Sequence, residues 1–257
     1  MTDPECVALL QWALPLLGLR WKGFKNVRRQ VCRRVSARAA ELGLDAAAYR
    51  ERLARDHDEL RVLDALCFVT ISRFYRDRRI YDTLRASGLP ALAASAVERG
   101  ERVFRIWSAG CASGEEPYTL AMIWHLELAP RFPDLVLDLV ATDTNDEVLE
   151  RARRGAYESS SLIELPQALR DAGFERRGDA FVVDDRMRVG LSFVRADIRV
   201  WSPPAPVHAI FCRNLAFTYF DEVAQRAFVE RARKVLAPDG VIVVGAHEKL
   251  PPTSDRR

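Results

Sequence analysis

The sequence predicts an α/β protein: a parallel sheet flanked by helices, carrying a small antiparallel β-subdomain and preceded by an all-α segment. Three observations carry this. After residue 100, apolar runs of strand length alternate with helical stretches. One of them, Val103 to Trp107, breaks into the small residues Ser108 to Gly114, and a helical stretch, Tyr118 to Leu128, follows with Glu115 and Glu116 in its first turn. Before residue 80 the apolar residues recur only at helical spacing.

Taken in order, Val7 to Leu19, Val27 to Leu42, Ala46 to Asp56 and Glu59 to Phe68 read as helices, punctuated by Gly18, Gly23 and Gly43. Residues 1–80 hold 16 Lys/Arg against 10 Asp/Glu, while residues 81–257 hold 23 against 26, so a basic helical domain precedes a mildly acidic one. Arg28, Arg29, Arg33, Arg34 and Arg38 are either a solvated helix face or a face that receives an acidic protein segment. Few aromatics interleave with them and no standard motif is present, which points away from nucleic acid.

In the second domain Val103 to Trp107, Leu135 to Ala141, Val207 to Phe211 and Val241 to Gly245 read as strands, with Glu147 to Arg154 and Glu222 to Val235 among the helices. The stretch at about 157–194 differs in character. Gly178 to Val183 and Val189 to Val194 read as an antiparallel pair behind a helix at 165–172, grafted onto the sheet.

Composition excludes several classes. With 257 residues and 49% hydrophobic content the chain can bury a sizeable core. No apolar run approaches the roughly 20 residues needed to span a bilayer. Asp3 and Glu5 stand where a signal peptide carries basic residues, so a cytoplasmic protein without membrane insertion is expected. Five cysteines lie far apart, and their odd number argues for free, buried thiols. Four scattered histidines offer no metal-ligand spacing.

The chemistry gathers at strand ends. The turn after Val103 to Trp107 holds only Gly110 and Gly114 where a dinucleotide fingerprint needs three glycines, and Glu115 and Glu116 sit where a diphosphate would lie. Their charge favours a cationic or hydroxyl-rich ligand such as S-adenosylmethionine. Asp143, ending the second strand, suits the ribose hydroxyls of such a ligand; the plain alternative is a helix N-cap shared with Thr144 to Asp146. Asn214, after Ile210-Phe211-Cys212-Arg213, offers a donor and an acceptor for the methionyl part, or simply turns the chain. Finally, Val69 to Asp77 joins the two domains, and the Arg76 fork suits an anionic substrate unless it is a surface charge beside Asp77 and Asp82.

With these residues set out, the chain resembles the CheR-type chemotaxis receptor glutamate O-methyltransferases over almost its whole length. The resemblance rests on Ser72-Arg73-Phe74-Tyr75-Arg76-Asp77, Trp107 to Tyr118, Ala141-Thr142-Asp143, Ile210 to Asn214, Tyr219-Phe220-Asp221, Leu236 to Gly240 and Gly245-Ala246-His247-Glu248, in the family's order. It implies a class I S-adenosylmethionine-dependent methyltransferase fold, releasing S-adenosylhomocysteine and methylating glutamate side chains of chemoreceptors or related signalling proteins. It further implies that Ala109, Gly110, Glu116, Asp143, Asp197, Ile198, Arg213, Asn214 and Leu215 line the cofactor pocket, with Thr70 and Ser72 near the methionyl end. Arg76 would then hold the substrate carboxylate and Tyr219 would lie beside the reacting centre. The implied partner is an acidic protein such as a chemoreceptor helix, met by a monomeric enzyme. In some family members the β-subdomain also binds a tethering peptide through a longer loop than Arg176-Arg177-Gly178-Asp179.

Departures from the pattern sit on the acceptor side or at the adenine. Four residues, Leu215 to Thr218, separate Asn214 from Tyr219 where the family has three. Val207-His208 replaces Phe-Asp, and Asp197-Ile198 replaces Asn-Leu. These leave two further readings: a CheR-like enzyme for another carboxylate, including a small molecule, and a non-catalytic module that binds S-adenosylmethionine.

Overall fold

The computed structural model describes residues 1–252, which form two compact units: one of Met1–Val69, Asn214–Ala227 and the residues from Leu250 on, the other of Thr70–Arg213 and Phe228–Lys249.

The first unit is helical. α1 (Asp3–Ala13) opens on a capping box, in which Glu5 N–H donates to Thr2 Oγ1 at 3.4 Å and Thr2 N–H to Glu5 Oε2 at 2.7 Å. α2 (Trp21–Phe24) and α3 (Arg28–Glu41) follow; α4 (Ala46–Arg55) and α5 (His57–Leu66) are capped by Asp45 and Asp56. Leu10, Val31, Val35, Tyr49, Leu53 and Leu63 fill the centre. A buried carboxylate also lies inside: Glu59 accepts from Arg38 Nε at 3.0 Å, Arg38 Nη2 at 2.9 Å and the Tyr49 hydroxyl at 3.0 Å. The Arg38 bonds hold its pKa below the ordinary carboxylate range although burial opposes them. Arg34 donates to the carbonyls of Leu66 at 3.4 Å and Phe68 at 2.6 Å, closing the end of α5. Two of the five arginines expected on one basic face are therefore internal partners, while Arg29 and Arg33 are exposed. One cysteine expectation is corrected. Cys6 and Cys32 are disulfide-bonded, because α1 and α3 pack with their Cα atoms 5.7 Å apart; Cys67, Cys111 and Cys212 are buried thiols outside that bond.

The second unit begins with α6 (Arg78–Thr83) and α7 (Leu89–Glu98), joined by a π-helical turn, in a stretch where the sequence signalled no element. β1 (Val103–Ala109), α8 (Glu115–Ile123), β2 (Val136–Asp143) and α9 (Asp146–Arg154) come next. β3 (Ala156–Glu158), α10 (Gln167–Gly173), β4 (Phe174–Arg177), β5 (Ala180–Val183) and β6 (Leu191–Arg195) lead to β7 (Val207–Phe211). α11 (Ala216–Tyr219) and the start of α12 (Glu222–Lys234) belong to the helical unit, and β8 (Leu236–Val243) returns to the sheet.

The main sheet is parallel throughout, in the order β6-β2-β1-β7-β8, so the strand order reverses beside β1. That reversal opens a crevice at the carboxyl ends of the strands. β7 is buried along its length. Its His208 accepts the Arg105 N–H at Nδ1, 2.9 Å, and meets Glu101 through Nε2 at 2.8 Å, so a polar residue sits inside the sheet with both ring nitrogens engaged.

The small antiparallel sheet has the order β3-β5-β4. The expected pairing of Gly178–Val183 with Val189–Val194 is not formed. Instead β4 pairs with β5 across the Gly178-Asp179 turn, and β6 lies parallel to β2 with Leu191 opposite Leu139. Gly190 is the physical reason. Its carbonyl accepts the Leu139 N–H at 2.7 Å, and a Cβ there would stand 2.2 Å from the Leu137 carbonyl oxygen, so only glycine lets the chain close on β2.

Candidate functional site

The chain leaves β1 through a turn in which Gly110, Ala112 and Gly114 have φ of +85°, +47° and +95°. Its amides turn toward the neighbouring strand. Gly110 N–H and Cys111 N–H both donate to the Thr142 carbonyl at 2.8 Å, and Ala112 N–H donates to Asp143 Oδ2 at 3.0 Å. Those three N–H groups are consumed in tying β1 to β2 and leave no cradle for a diphosphate. Gly114 is sterically required, since a Cβ there would lie 2.9 Å from both Ala152 Cβ and the Tyr157 hydroxyl.

Asp143 is not the helix cap that its position also allowed. Asn145 caps α9, accepting from Glu147 N–H at 2.8 Å and Val148 N–H at 3.4 Å. The Asp143 carboxylate instead accepts from Ala112 N–H and, at 3.0 Å, from Asn145 N–H. A carboxylate offers about four lone-pair sites, so acceptor capacity is left for hydroxyl donors. Burial raises its pKa, and the backbone amides, Thr144 among them, partly offset that.

Two glutamates open α8. Glu115 is buried, takes the Ser113 hydroxyl on both oxygens at 2.8 and 3.0 Å, and also pairs with the Ser72 hydroxyl. Glu116 accepts from Ser108 Oγ at 2.7 Å and Arg213 Nη1 at 3.1 Å. Burial pushes both pKa values up, and Arg213 pulls Glu116 partly back.

Arg213, following β7, is a hub. Nη1 donates to the Tyr81 hydroxyl at 3.0 Å and to Glu116, while Nη2 donates to Asp77 Oδ2 at 2.9 Å and to the Arg76 carbonyl. Its guanidinium also lies over the Tyr81 ring, 4.9 Å from the centroid. Arg76 itself is half-buried, and its Nη1 donates to the Ile71 carbonyl at 2.9 Å. Ala109 ends β1 fully buried, and Thr70 begins this unit half-buried.

Asp197 follows β6 and is bound by its own neighbour: it accepts from Arg199 N–H at 2.8 Å and Arg199 Nε at 2.9 Å. Ile198 is buried, and its carbonyl accepts from Arg231 Nη2 at 2.7 Å. Ala109, Gly110, Glu116, Asp143, Asp197, Ile198, Arg213, Thr70, Ser72 and Arg76 thus all fall in the sheet unit, the first seven at strand ends or the segments that follow them and the last three in the segment before α6. Asn214, Leu215 and Tyr219 fall in the helical unit. Asn214 has φ of +56°, Leu215 precedes α11, and the Tyr219 ring lies 4.9 Å from that of Phe24 while its carbonyl accepts from Arg20 N–H at 2.8 Å. The extra residue after Asn214 falls where α11 makes one short helical turn. Sequence reasoning did not single out Ser108, Tyr81 or Asp77. Asp77 and Ser108 carried a signal, as the acid that follows Arg76 in the junction motif and as the residue after Trp107 in the turn motif.

The residues present fit S-adenosylmethionine: acceptor carboxylates stand at the end of β2 and the start of α8, and the Gly110, Cys111 and Ala112 amides of the turn are engaged within the protein. With the strand order and the crevice, these features define a class I S-adenosylmethionine-dependent methyltransferase. Residues 70–257 match the family model described as CheR methyltransferase, SAM binding domain. A chemotaxis protein methyltransferase of Listeria monocytogenes is 29% identical over 234 residues, covering 82% of this chain and 86% of that protein. A probable chemotaxis protein methyltransferase of Rhizobium etli is 32% identical, covering 86% of this chain and 77% of that protein. Among solved structures, the N-methyltransferase NodS of Bradyrhizobium japonicum aligns with 77% of this chain and 70% of that one, at 18% identity and a TM-score of 0.38. The chain belongs to the CheR methyltransferase family. Among the described residues no helix is long and apolar enough to cross a membrane.

Proposed function

We propose that the protein transfers a methyl group to the side-chain carboxylate of glutamates on an acidic signalling protein, a chemoreceptor helix in the first instance, in the cytoplasm. The observation that carries this reading is the pairing of an acid-lined cofactor site at Asp143 and Glu116 with a half-buried guanidinium, Arg76, on the segment whose carbonyl Arg213 grips. The names of the relatives, chemotaxis protein methyltransferases, support an acceptor in chemotaxis signalling. When bound, S-adenosylmethionine supplies a methyl group made electrophilic by the sulfonium.

Asp143 accepts from the ribose hydroxyls, Glu116 and Ser72 bound the methionyl side, and Ile198 and Asp197 face the adenine. Asn214 and Leu215 are assigned to the cofactor, and Tyr219 to the reacting centre, on the resemblance alone. A glutamate carboxylate is already ionised near neutral pH. No general base is therefore required. The protein's task is placement, and good alignment of two bound reactants is worth roughly 7–11 kcal/mol. Arg76 orients the acceptor through its fork, but a strong clamp would stabilise the ground state, because the acceptor loses its negative charge in the reaction.

Incubation with tritium-labelled S-adenosylmethionine and either chemoreceptor membranes or a panel of small carboxylic acids tests this. Base-labile label on receptor protein is the expected result. Label on a small acid only, or binding without any transfer, rejects it.

A further inference from the structure

Arg76 is bracketed by strain. Tyr75 and Asp77 both have left-handed backbones, φ of +60° and +64°, which non-glycine residues adopt only at an energetic cost. Such conformations persist only where the surroundings over-determine them, and here the two flanks are pinned separately. Tyr75 is fully buried; its N–H donates to Thr119 Oγ1 at 3.3 Å and its hydroxyl to Asp82 at 2.9 Å, while Arg85 donates to that hydroxyl at 3.0 Å. The Asp77 side chain accepts from Arg213 Nη2 at 2.9 Å and from Ala246 N–H at 3.3 Å. The same Nη2 also takes the Arg76 carbonyl, so one guanidinium nitrogen holds the backbone of Arg76 and the side chain of the next residue.

We infer that Asp77 is a positioning residue: its carboxylate, locked to Arg213 and to the Ala246 amide, holds the left-handed turn that presents the Arg76 guanidinium to the acceptor. This rests on the reading of Arg76 given above and extends it. Arg213 has Glu116, Tyr81 and the Arg76 carbonyl as partners besides Asp77, and the contacts at Asp143 do not involve Asp77.

Two variants separate the carboxylate from the backbone. Asp77→Gly tolerates the positive φ but removes the side chain, whereas Asp77→Asn tolerates it nearly as well and keeps a neutral acceptor for Arg213. Transfer to chemoreceptor membranes is expected to fall about 100-fold in Asp77→Gly, the loss that a displacement of about 1 Å brings, and about 10-fold in Asp77→Asn, since a charge-assisted bond is replaced by a weaker neutral one. S-adenosylhomocysteine affinity should stay within about three-fold in both, because the contacts at Asp143 are untouched. In an Arg76→Ala background neither substitution should lower the residual rate further.

Amide hydrogen exchange, which needs no acceptor, supplies a second readout. Exchange over 70–80 should rise in Asp77→Asn while the rest of the sheet unit keeps its protection. A further loss on top of Arg76→Ala, or unchanged exchange over 70–80, overturns the inference. Full activity of Arg76→Ala alone removes the reading of Arg76 instead, and the exchange result then still decides whether Asp77 holds the turn.

Discussion

The backbone amide of Ala112 lies 3.0 Å from Asp143 Oδ2, a bond that joins the turn after β1 to the end of β2. One residue thereby shapes the glycine turn and is also the proposed ribose acceptor. On the proposed reading, loss of the Asp143 side chain removes a turn contact together with the acceptors for ribose, and each charge-assisted bond lost is worth about 1.5–3 kcal/mol. Asp143→Ala should weaken S-adenosylhomocysteine binding by at least ten-fold in calorimetry. An unchanged dissociation constant would confine Asp143 to a structural part.

Burial raises the pKa values of Asp143, Glu115 and Glu116, so the native sheet unit holds these protons more tightly than the unfolded chain does. Their contribution to stability is fully present below the ordinary carboxylate range, about 4, and is lost as pH rises through the raised native values. Asp77 runs the other way: its lowered pKa gives stability present above the ordinary range and lost as pH falls through the native value. Hydroxyl donors favour the ionised form of Asp143, so cofactor affinity should fall as pH drops through its raised pKa. Titration calorimetry between about pH 4 and 8, spanning that range, should show this slope in the wild type and a shallower one in Asp143→Asn. Parallel slopes would assign the proton elsewhere.

Much of this arrangement is legible in the sequence, and the limits have physical causes. β1, β2 and β7 are short apolar runs that end in small or polar residues, and a sheet buried on both faces demands that pattern. β6 escaped because its sequence reads equally well as a hairpin strand; what commits it to β2 is backbone approach at Gly190, a three-dimensional fact. The Arg213 hub is illegible for another reason. Its partners Glu116, Tyr81 and Asp77 lie 97, 132 and 136 residues away, and no periodicity reports contacts at that range. The Cys6–Cys32 bond was missed because the odd cysteine count says nothing of two helices packing side by side.

That bond closes a loop with a sequence separation of 26. By loop-closure entropy a cross-link of this size contributes about 3–4 kcal/mol. Oxidised protein, unfolded in denaturant, should therefore present three titratable thiols and reduced protein five. Reduction, or Cys32→Ser, should lower the unfolding midpoint of the helical unit and spare cofactor binding. Five thiols without reductant would show that the pair is packed but not bonded.

Gly114 tests the turn itself. An alanine there must adopt φ of +95° and place its Cβ 2.9 Å from Ala152 Cβ and the Tyr157 hydroxyl. Strain and overpacking together should destabilise the sheet unit by about 2–4 kcal/mol. Urea denaturation followed by tryptophan fluorescence reads this. A midpoint equal to that of the wild type would mean the turn relaxes without cost.

The acceptor itself must be found by a surface. Arg29 and Arg33 on α3 are exposed, whereas Arg28 pairs with Asp3, Arg34 closes α5 and Arg38 holds buried Glu59, so the first two can be charge-reversed without breaking a contact described for the fold. The β4–β5 connection is the two-residue turn Gly178-Asp179, too short to offer the longer loop of a peptide tether. If recognition rests on the basic helix, its long-range attraction weakens as salt screens it. Arg29→Glu with Arg33→Glu should raise the apparent KM for receptor membranes several-fold and flatten its salt dependence across roughly 50–500 mM, a range that takes the screening length through about 10 Å. Cofactor affinity should not change. Arg38→Glu, by contrast, should unfold the helical unit, because it sets a second carboxylate against buried Glu59. Should the double variant keep wild-type kinetics at every salt concentration, the arginines are solvated charges, and a small carboxylic acid becomes the better acceptor.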